Sequence, residues 1–218
     1  MAAPIELRPE FVIDDEAGLS SLFHPANDFV TKKCLDYIHE HARVFIERSP
    51  FMLIGSQSAS GDADVSPRGD PRGFVKVLDD NKTLLIPDRP GNNRIDTLTN
   101  IVSNPRVGLI FFIPGYDETM RINGGATLTS DPALLETMTV KGRVPKIAIA
   151  VRVDEVYIHC AKAIRRAKLW DPDEHQDRSD FPTMAKVMLD HTYGAPDDPE
   201  HMKQIDDNME RFYSETLY

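Results

Sequence analysis

The sequence has few of the residues that cross-link or anchor a protein outside the cell. Only two cysteines occur among 218 residues, Cys34 and Cys160, and they form no CxxC pair. Two isolated cysteines favour buried thiols in a reducing compartment, although a bond between them stays open. The first residues, MAAPIELRPEF, show neither the basic nor the apolar region of a secretory signal. We therefore expect a cytoplasmic protein.

Long apolar runs are also absent. One of the longest, Val107 to Ile113, ends at Pro114, whereas a membrane-spanning helix needs about 20 apolar residues. The hydrophobic fraction of 41% is enough for one good core, and a charged fraction of 28% is too low for general disorder. These values predict a single domain over residues 1–218 that does not enter a membrane.

Positive charge is in deficit, with a formal net charge of −10, which disfavours nucleic acid as a partner. The charge is unevenly distributed. Residues 171–218 hold 13 acidic and 4 basic residues, while residues 141–168 hold eight basic and two acidic ones. A basic band on an acidic protein fits a small anionic ligand, and it equally fits a solvated face.

Several common site motifs are missing. There is no strand followed by GxGxxG, no GxxxxGK[ST], no HExxH and no GxSxG. His39 and His41 lie two apart in a predicted helix, which points their side chains to different faces. We therefore expect no metal site, and neither a Rossmann nucleotide site nor a P-loop.

Hydrophobic periodicity predicts a mainly β protein with flanking helices. Apolar residues at helical spacing predict one helix over residues 28–48, which Ser49-Pro50 ends. Strands are predicted at residues 51–58, 73–78, 83–87, 106–113, 119–129 and 146–160. The strand at 106–113 alternates little and is expected to be buried on both faces.

Turn and cap residues support this order of elements. Asp79-Asp80-Asn81 predicts a hairpin turn, and Gly124-Gly125 predicts a bulge or tight bend. Asp131 is the expected N-cap of a short helix that begins at Pro132. Residues 161–218 read as helices separated by proline-rich loops. Strands clustered in this way favour an antiparallel sheet or barrel over a doubly wound sheet.

The most informative stretch for function is LLIPDRPGNNRIDTLTN, residues 84–100. A strand ends there, and a helix is predicted to begin with Asn92, Asn93 and Arg94 in its first turn. Free N–H groups and the positive end of the helix dipole suit a phosphate, and Arg89 and Arg94 add guanidinium groups. The alternative is that the asparagines only cap the helix while the arginines face water.

Two further stretches carry candidate ligand contacts. In DVSPRGDPRGF, residues 64–74, a rigid and irregular connection is predicted, from which Ser66 and Arg68 could face a planar ligand. In HCAKAIRRAKLW, residues 159–170, a basic helix offers Lys162, Arg165 or Arg166 to an anion. Trp170 could pack on a flat ring or belong to the core or an interface.

Taken together, these stretches resemble the pyridoxamine 5′-phosphate oxidase-like flavoproteins. The shared runs are FIERSPFMLIGSQS, DVSPRGDPRGFV, LLIPDRPGNNRIDTLTNI, NPRVGLIFFIPG, TMRINGGA and HCAKAIRRAKLW. The resemblance covers roughly residues 28–172, about two-thirds of the chain, which would form the barrel core. Residues 173–218 would form an acidic helical extension.

The resemblance implies a split β-barrel that forms a homodimer with FMN at the subunit interface. It implies that FMN is held by Ile86, Pro87, Arg89, Asn92, Asn93 and Arg94 around its phosphate, by Ser66 and Arg68 along the flavin, and by Lys162 and Trp170 from the partner subunit. The implied activity is oxidoreduction of a small molecule at flavin N5, with no acid or base side chain assigned.

One difference separates this chain from authentic pyridoxamine phosphate oxidases. Those enzymes end in a short arginine-containing strand at the substrate pocket, whereas this sequence ends in RFYSETLY. The substrate therefore stays open. Three other functions are also open: a non-catalytic flavin sensor, a barrel that binds haem through His159 or a deazaflavin, and a scaffold whose acidic tail recruits a partner.

Overall fold

A computed structural model describes residues 5–218; Met1 to Pro4, with which the predicted domain begins, lie outside the described residues. The chain forms two compact units, divided between Cys34 and Leu35. The first unit has a short 3-10 helix (Pro9–Phe11) and two α-helices, α1 (Glu16–Ser21) and α2 (Asp28–Lys32). Both α-helices have side-chain N-caps, from Asp15 and Asn27, that accept from backbone N–H groups.

The second unit is built on one antiparallel sheet of seven strands. The strands are β1 (Phe51–Gln57), β2 (Ala63–Gly69), β3 (Lys76–Val77), β4 (Thr83–Pro87), β5 (Arg106–Phe112), β6 (Thr119–Thr129) and β7 (Ala148–His159). Their order in the sheet is β2-β1-β5-β6-β7-β4-β3, so β2 and β3 are the two edge strands. The predicted fold class, a mainly β split barrel with flanking helices, is confirmed.

The predicted helix over residues 28–48 is wrong, because two helices occupy that range. The second is α3 (Glu40–Arg48), and residues 33–39 separate it from α2. Leu35 forms an isolated bridge with Val156, and the backbone N–H of Ile38 donates to the carbonyl of Asn81. These bonds to distant residues replace the local i to i−4 bonds that a continuous helix needs.

The segment predicted as an irregular loop also has a different structure, since β2 runs through it. β2 pairs with β1 in antiparallel register, with Pro67 opposite Leu53. A proline has no N–H to donate, but an edge strand tolerates it. Alternate residues of β2 are half-buried, including Asp64, Ser66 and Arg68. The strand therefore turns a polar face inward.

The prediction that residues 106–113 are buried on both faces is wrong. β5 alternates, with Val107, Leu109 and Phe111 buried and the residues between them half-buried. The buried face belongs to one main core, built from α3, β1, β4, β5, β6, β7 and the helix that follows β4.

That helix is α4 (Asp96–Ser103), which packs against β1, β2 and β6. It begins later than predicted, because Asn92, Asn93 and Arg94 precede its first turn and Ile95 is its N-cap. Asn93 has a φ of 59°, in the left-handed region, which interrupts the helical path. Two of its polar residues are buried, Thr97 and Asn100, and the amide of Asn100 donates to Ser56 Oγ at 3.0 Å.

Four further α-helices and two 3-10 helices (Pro172–Glu174 and Arg178–Asp180) follow in the described residues. The α-helices are α5 (Pro132–Glu136), α6 (Lys162–Ala167), α7 (Met184–Asp190) and α8 (Pro199–Thr216). Asp131 caps α5 by accepting from the N–H of Ala133, as predicted. No helix within residues 5–218 has the length and apolar character of a transmembrane segment. No disulfide joins Cys34 to Cys160, and Cys160 is exposed, so the prediction that both thiols are buried is wrong.

The predicted irregularity at Gly124-Gly125 is confirmed. The pairing of β6 with β7 changes register between Asn123 and Gly124. A Cβ atom placed on Gly124 would lie 2.1 Å from the carbonyl oxygen of Arg152. Because backbone atoms cannot move aside cheaply, only glycine allows β7 to approach so closely at this bulge.

We expect Gly124→Ala to destabilise the protein by about 3 kcal/mol, since the added methyl group forces β6 and β7 apart. The matched control is Gly125→Ala, where a Cβ would meet no atom within 4 Å. The control should change stability by less than about 0.5 kcal/mol. Chemical denaturation of both variants measures the difference, and equal stabilities would contradict this account of the bulge.

Candidate functional site

The main cavity lies where the two ends of the sheet come together. β2 lies at one edge and β4 next to the other, and no ladder pairs them directly. The last residues of β2 (Pro67 to Gly69) and the last residue of β4 with the two that follow it (Pro87 to Arg89) line the same cavity of about 760 Å³. The site therefore occupies the open seam of the split barrel, and its volume is typical of a small-molecule or cofactor site.

The lining of this cavity is strongly cationic. Five basic side chains reach it, while the described residues that line it include one carboxylate, that of Asp88. The basic residues are Arg68, Arg89, Arg94, Arg143 and Lys146. Neither Arg143 nor Lys146 forms an ion pair within residues 5–218. This excess of positive charge favours an anionic ligand.

A buried ion pair bridges the seam. Arg89, just after β4, donates from Nε to Asp70 Oδ2 at 2.6 Å, and Asp70 follows β2. The Asp70 side chain is 1% exposed and that of Arg89 is 14% exposed. Arg89 also donates from Nη2 to the carbonyl of Met138 at 2.8 Å. The pair therefore ties both edges of the seam to the segment after α5.

The turn before α4 forms a second cationic wall. Asn92 Oδ1 accepts from the N–H of Arg94 at 3.0 Å, while the Arg94 side chain pairs with Asp96 at 2.8 Å and is mostly exposed. No side chain caps α4. Its first N–H groups therefore have no intrahelical or capping acceptor, and the positive end of the helix dipole is directed to this region.

Arg68 contributes a buried donor that the protein leaves unsatisfied. Its Nη1 donates to the carbonyl of Pro67, but its Nε is buried without a hydrogen-bond partner among the described residues. Burying such a group costs free energy unless an acceptor is supplied. Since Arg68 lines the cavity, a ligand oxygen or ring nitrogen could supply one.

Asp88 lines the same cavity as Arg68. Burial raises the pKa of the Asp88 carboxyl above its ordinary value, and the positive charge of Arg68 opposes part of that rise. No hydrogen bond to the Asp88 carboxylate is formed by residues 5–218. The ionised form of Asp88 therefore lowers the stability of the folded protein.

Behind the cavity, a polar network fixes α4 to β2. The Thr97 hydroxyl lies 3.1 Å from Ser66 Oγ and 3.2 Å from Asp64 Oδ2. Ser66 itself donates to Asp64 at 3.3 Å. These bonds hold the uncapped end of α4 beside Arg68, so Ser66 supports the cavity without lining it.

The structure brings six of the ten predicted site residues together. Arg68, Pro87, Arg89, Asn92, Asn93 and Arg94 all line the cavity. Ile86 does not, because its side chain is fully buried in the main core. Lys162 is exposed at the start of α6, and Trp170 donates from its indole N–H to the carbonyl of Tyr116. Neither of these two residues lines the cavity of its own chain.

Sequence reasoning missed several residues of the site. Arg143 and Lys146 belong to the basic band at residues 141–168, but no motif singles them out as site residues. Nothing in the sequence around Asp70 and Asp88 distinguishes them from surface carboxylates. Tyr218 also lines the cavity, and its hydroxyl donates to Asp70 at 2.6 Å. No local pattern predicts a contact across 148 residues.

The prediction that the side chains of His39 and His41 point to different faces of one helix is also wrong. His39 is the N-cap of α3 rather than a helical residue, and the two imidazole rings lie 4.9 Å apart. Ligand atoms of His39, Glu40 and His41 lie within 4.8 Å of one another. The N-terminus of α3 places positive partial charge there, which opposes a cation.

A profile of the pyridoxamine 5′-phosphate oxidase family matches residues 38–160. This match spans more than half of the chain and includes every strand of the sheet. The chain therefore belongs to the pyridoxamine 5′-phosphate oxidase family. No match was found among curated protein sequences.

Solved structures with a similar fold are distant in sequence. HupZ of Group A Streptococcus is 20% identical, with 56% of this chain and 93% of HupZ covered at a TM-score of 0.44. HutZ of Vibrio cholerae, a heme storage protein, is 10% identical, with 56% and 94% covered and a TM-score of 0.40. A pyridoxinephosphate oxidase family protein of Clostridium acetobutylicum, related to general stress protein 26, is 12% identical, with 55% and 85% covered and a TM-score of 0.40.

We expect Asp70→Asn to destabilise the protein by about 3 kcal/mol, because it leaves the Arg89 charge buried without a counter-ion. The matched control is Asp117→Asn, which removes an equally direct ion pair to Arg165 that is far more exposed. The control should cost less than about 1 kcal/mol. Urea denaturation measures both, and a mild Asp70→Asn variant would show that the pair is not what holds the seam.

Asp88→Asn should stabilise the protein in a pH-dependent way. When folding raises the pKa of an acid, the protein loses stability as the pH rises through that raised pKa, because ionising the acid costs more free energy in the folded state. Variant and wild type should be equally stable in acid, and the variant should be more stable at neutral pH. Thermal melting from about pH 3 to about pH 8 measures this.

Asp36→Asn provides a control of opposite sign. Hydrogen bonding and charge from Lys82 lower the pKa of Asp36, so the wild type gains stability as the pH rises from this lowered pKa to the unfolded value and keeps the gain above it. That variant should be the less stable one at neutral pH. The same sign for both variants would contradict the assignment of Asp88 as a costly buried charge.

Proposed function

We propose that this protein is an FMN-binding flavoprotein of the oxidoreductase class, with the cofactor in the cavity at the barrel seam. The observation that carries the proposal is the combination of a cationic cavity with the uncapped N-terminus of α4. A phosphate is the group that such an arrangement binds best. A planar ring system attached to that phosphate would extend along the cavity toward Arg68.

The residues present fit this cofactor on two grounds. The first is charge, since a dianionic phosphate offsets an excess of basic over acidic lining residues. The second is the unsatisfied Nε of Arg68, which needs an acceptor of the kind that a flavin ring offers in its carbonyl oxygens and ring nitrogens. Both features belong to the cavity that the predicted phosphate turn also lines.

In this proposal each part of the wall has a separate task. The turn at Asn92 to Arg94 and the first N–H groups of α4 hold the phosphate, with Arg94 exchanging Asp96 for the ligand. Arg68 orients the ring through its buried donor. Arg89 keeps its bonds to Asp70 and Met138 and thereby holds the shape of the cavity. Bound FMN would supply hydride or electron transfer, and the protein supplies grip and orientation.

The proposal also includes the homodimer. Lys162 and Trp170 lie away from the cavity of their own chain, so each would reach a cavity only from a partner subunit. The partner subunit would pack on β5, whose alternate residues form a half-buried face next to β1 in the sheet. A small-molecule substrate would then bind against the flavin between the two subunits.

The cavity is less suited to haem. Among the described lining residues there is no histidine, cysteine or methionine, and His159 at the end of β7 does not line the cavity. Tyr218 does line it, but its hydroxyl keeps its proton and donates to Asp70, whereas iron binds the deprotonated phenol. A deazaflavin shares the phosphate and the planar ring with FMN. A competition experiment with the purified protein therefore shows whether FMN or the deazaflavin binds more tightly.

FMN should bind the purified protein more tightly than riboflavin, because only FMN carries the phosphate. Arg94→Ala should weaken FMN about tenfold and leave riboflavin nearly unchanged, since a charge-assisted contact is lost for FMN alone. Quenching of flavin fluorescence measures both affinities, and light scattering on the same samples gives the subunit number.

Arg106→Ala is the matched control, because Arg106 also pairs with an exposed carboxylate, that of Asp154, but lies outside the cavity. Its flavin affinities should equal those of the wild type. Equal loss of FMN and riboflavin in Arg94→Ala would place the phosphate elsewhere. Failure of the wild-type protein to bind FMN at micromolar concentration would reject the proposed cofactor.

A further inference from the structure

The acidic extension is joined to the barrel by few polar contacts for its length. Within the described residues, no hydrogen bond or ion pair links residues 175–217 to residues 35–156 or 159–170. The α-helices α7 and α8 of the extension pack on each other, with the Tyr213 hydroxyl 2.9 Å from Met184 Sδ. α8 buries none of its own residues.

Tyr218 is where the extension returns to the barrel. Its hydroxyl donates to Asp70 Oδ1 at 2.6 Å, while the other oxygen of Asp70 accepts from Arg89. The ammonium group of Lys141 lies 4.8 Å from the centre of the Tyr218 ring, a cation–π distance. The phenol therefore joins the same buried carboxylate that closes the barrel seam.

The ring of Tyr218 forms part of the cavity wall without filling the cavity. The cavity of about 760 Å³ exists with Tyr218 in place, and this volume is enough for a cofactor-sized ligand. A ligand therefore has no need to displace the ring. The bond to Asp70 also raises the pKa of Tyr218, which keeps the phenol a hydrogen-bond donor at neutral pH.

We propose that residues 175–218 act as a strap over the cavity, with the Tyr218–Asp70 hydrogen bond as its latch and the Tyr218 ring as a ligand-contacting wall. The ion pair between Lys168 and Glu174 fixes the chain just before the strap. Since Tyr218 is the one polar latch of the strap itself within the described residues, the strap opens locally at low cost, which gives the ligand a path in and out. Linkage requires that a ligand which prefers the closed cavity also holds the strap closed. The latch stands without any assumption about the ligand, whereas the coupling rests on the proposed function.

Trypsin cleavage of the ligand-free protein tests the latch. The extension holds four trypsin sites, at Arg178, Lys186, Lys203 and Arg211. Tyr218→Phe removes only the latching hydroxyl, so cleavage in the extension should be roughly tenfold faster than in the wild type. Tyr193→Phe is the matched control, because that tyrosine is also in the extension but is almost fully exposed, and its cleavage should be unchanged.

Unfolding midpoints of the three proteins should agree, because the barrel core does not include Tyr218. Cleavage of Tyr218→Phe at the wild-type rate would overturn the latch. This arm needs no ligand, so it decides the latch even where FMN does not bind. In that case rapid cleavage of Tyr218→Phe supports the latch while the flavin proposal alone fails.

Repeating the cleavage with saturating FMN tests the coupling. FMN should slow cleavage of the wild-type extension, and stopped-flow fluorescence should show faster FMN release from Tyr218→Phe than from Tyr193→Phe. Faster cleavage with FMN bound would overturn the proposal, because the extension would then compete with the ligand. Cleavage unaffected by bound FMN would overturn it as well, since the extension would be independent of the cavity.

Discussion

The hydrogen-bonded ion pair between Asp70 and Arg89 is the contact on which the geometry of the site depends. It joins the chain just after β2 to the chain just after β4, across a seam that no strand ladder closes. Through Met138 it also fixes the segment after α5, and through Tyr218 it receives the end of the acidic extension. Four distant parts of the sequence therefore share one buried carboxylate–guanidinium contact.

This arrangement separates positive charge that is already neutralised from positive charge that is available. Arg89 is bonded to Asp70 and to the carbonyl of Met138, so it shapes the cavity while its charge is balanced by that carboxylate. Arg94 is held by an exposed carboxylate that competes weakly in water. Arg68, Arg143 and Lys146 have no such carboxylate bonded to them within residues 5–218. The basic residues around the cavity therefore differ in how readily they can bind an anionic ligand.

Much of this architecture was predictable where local chemistry decides the structure. The bounds of β4 and β6 were predicted to the residue, because a turn or a proline marks the ends of each strand. The N-cap at Asp131 followed from the Asp-Pro pair. The six cavity residues among the predicted site lie in two short stretches whose glycines, prolines and arginines are unusual together.

The errors occur where distant residues decide the structure. Residues 63–69 look like a loop, since glycine and proline flank the charges, yet pairing with β1 makes them an edge strand. The helix over residues 28–48 is divided because Leu35 pairs with Val156. Asp70 and Tyr218 acquire their roles only through contacts of long sequence separation, which no local pattern contains.

The strand order has a consequence for how the protein reaches its native state. β4 pairs with β7, which joins residue 83 to residue 152, whereas β1 and β2 form a local hairpin. Contacts of long sequence separation form slowly, so the cavity, which needs both strand ends, is assembled late in folding. A ligand that binds only the completed cavity stabilises the folded state by mass action. The amount of intact protein in a cell should then follow the supply of that ligand, even before any reaction takes place.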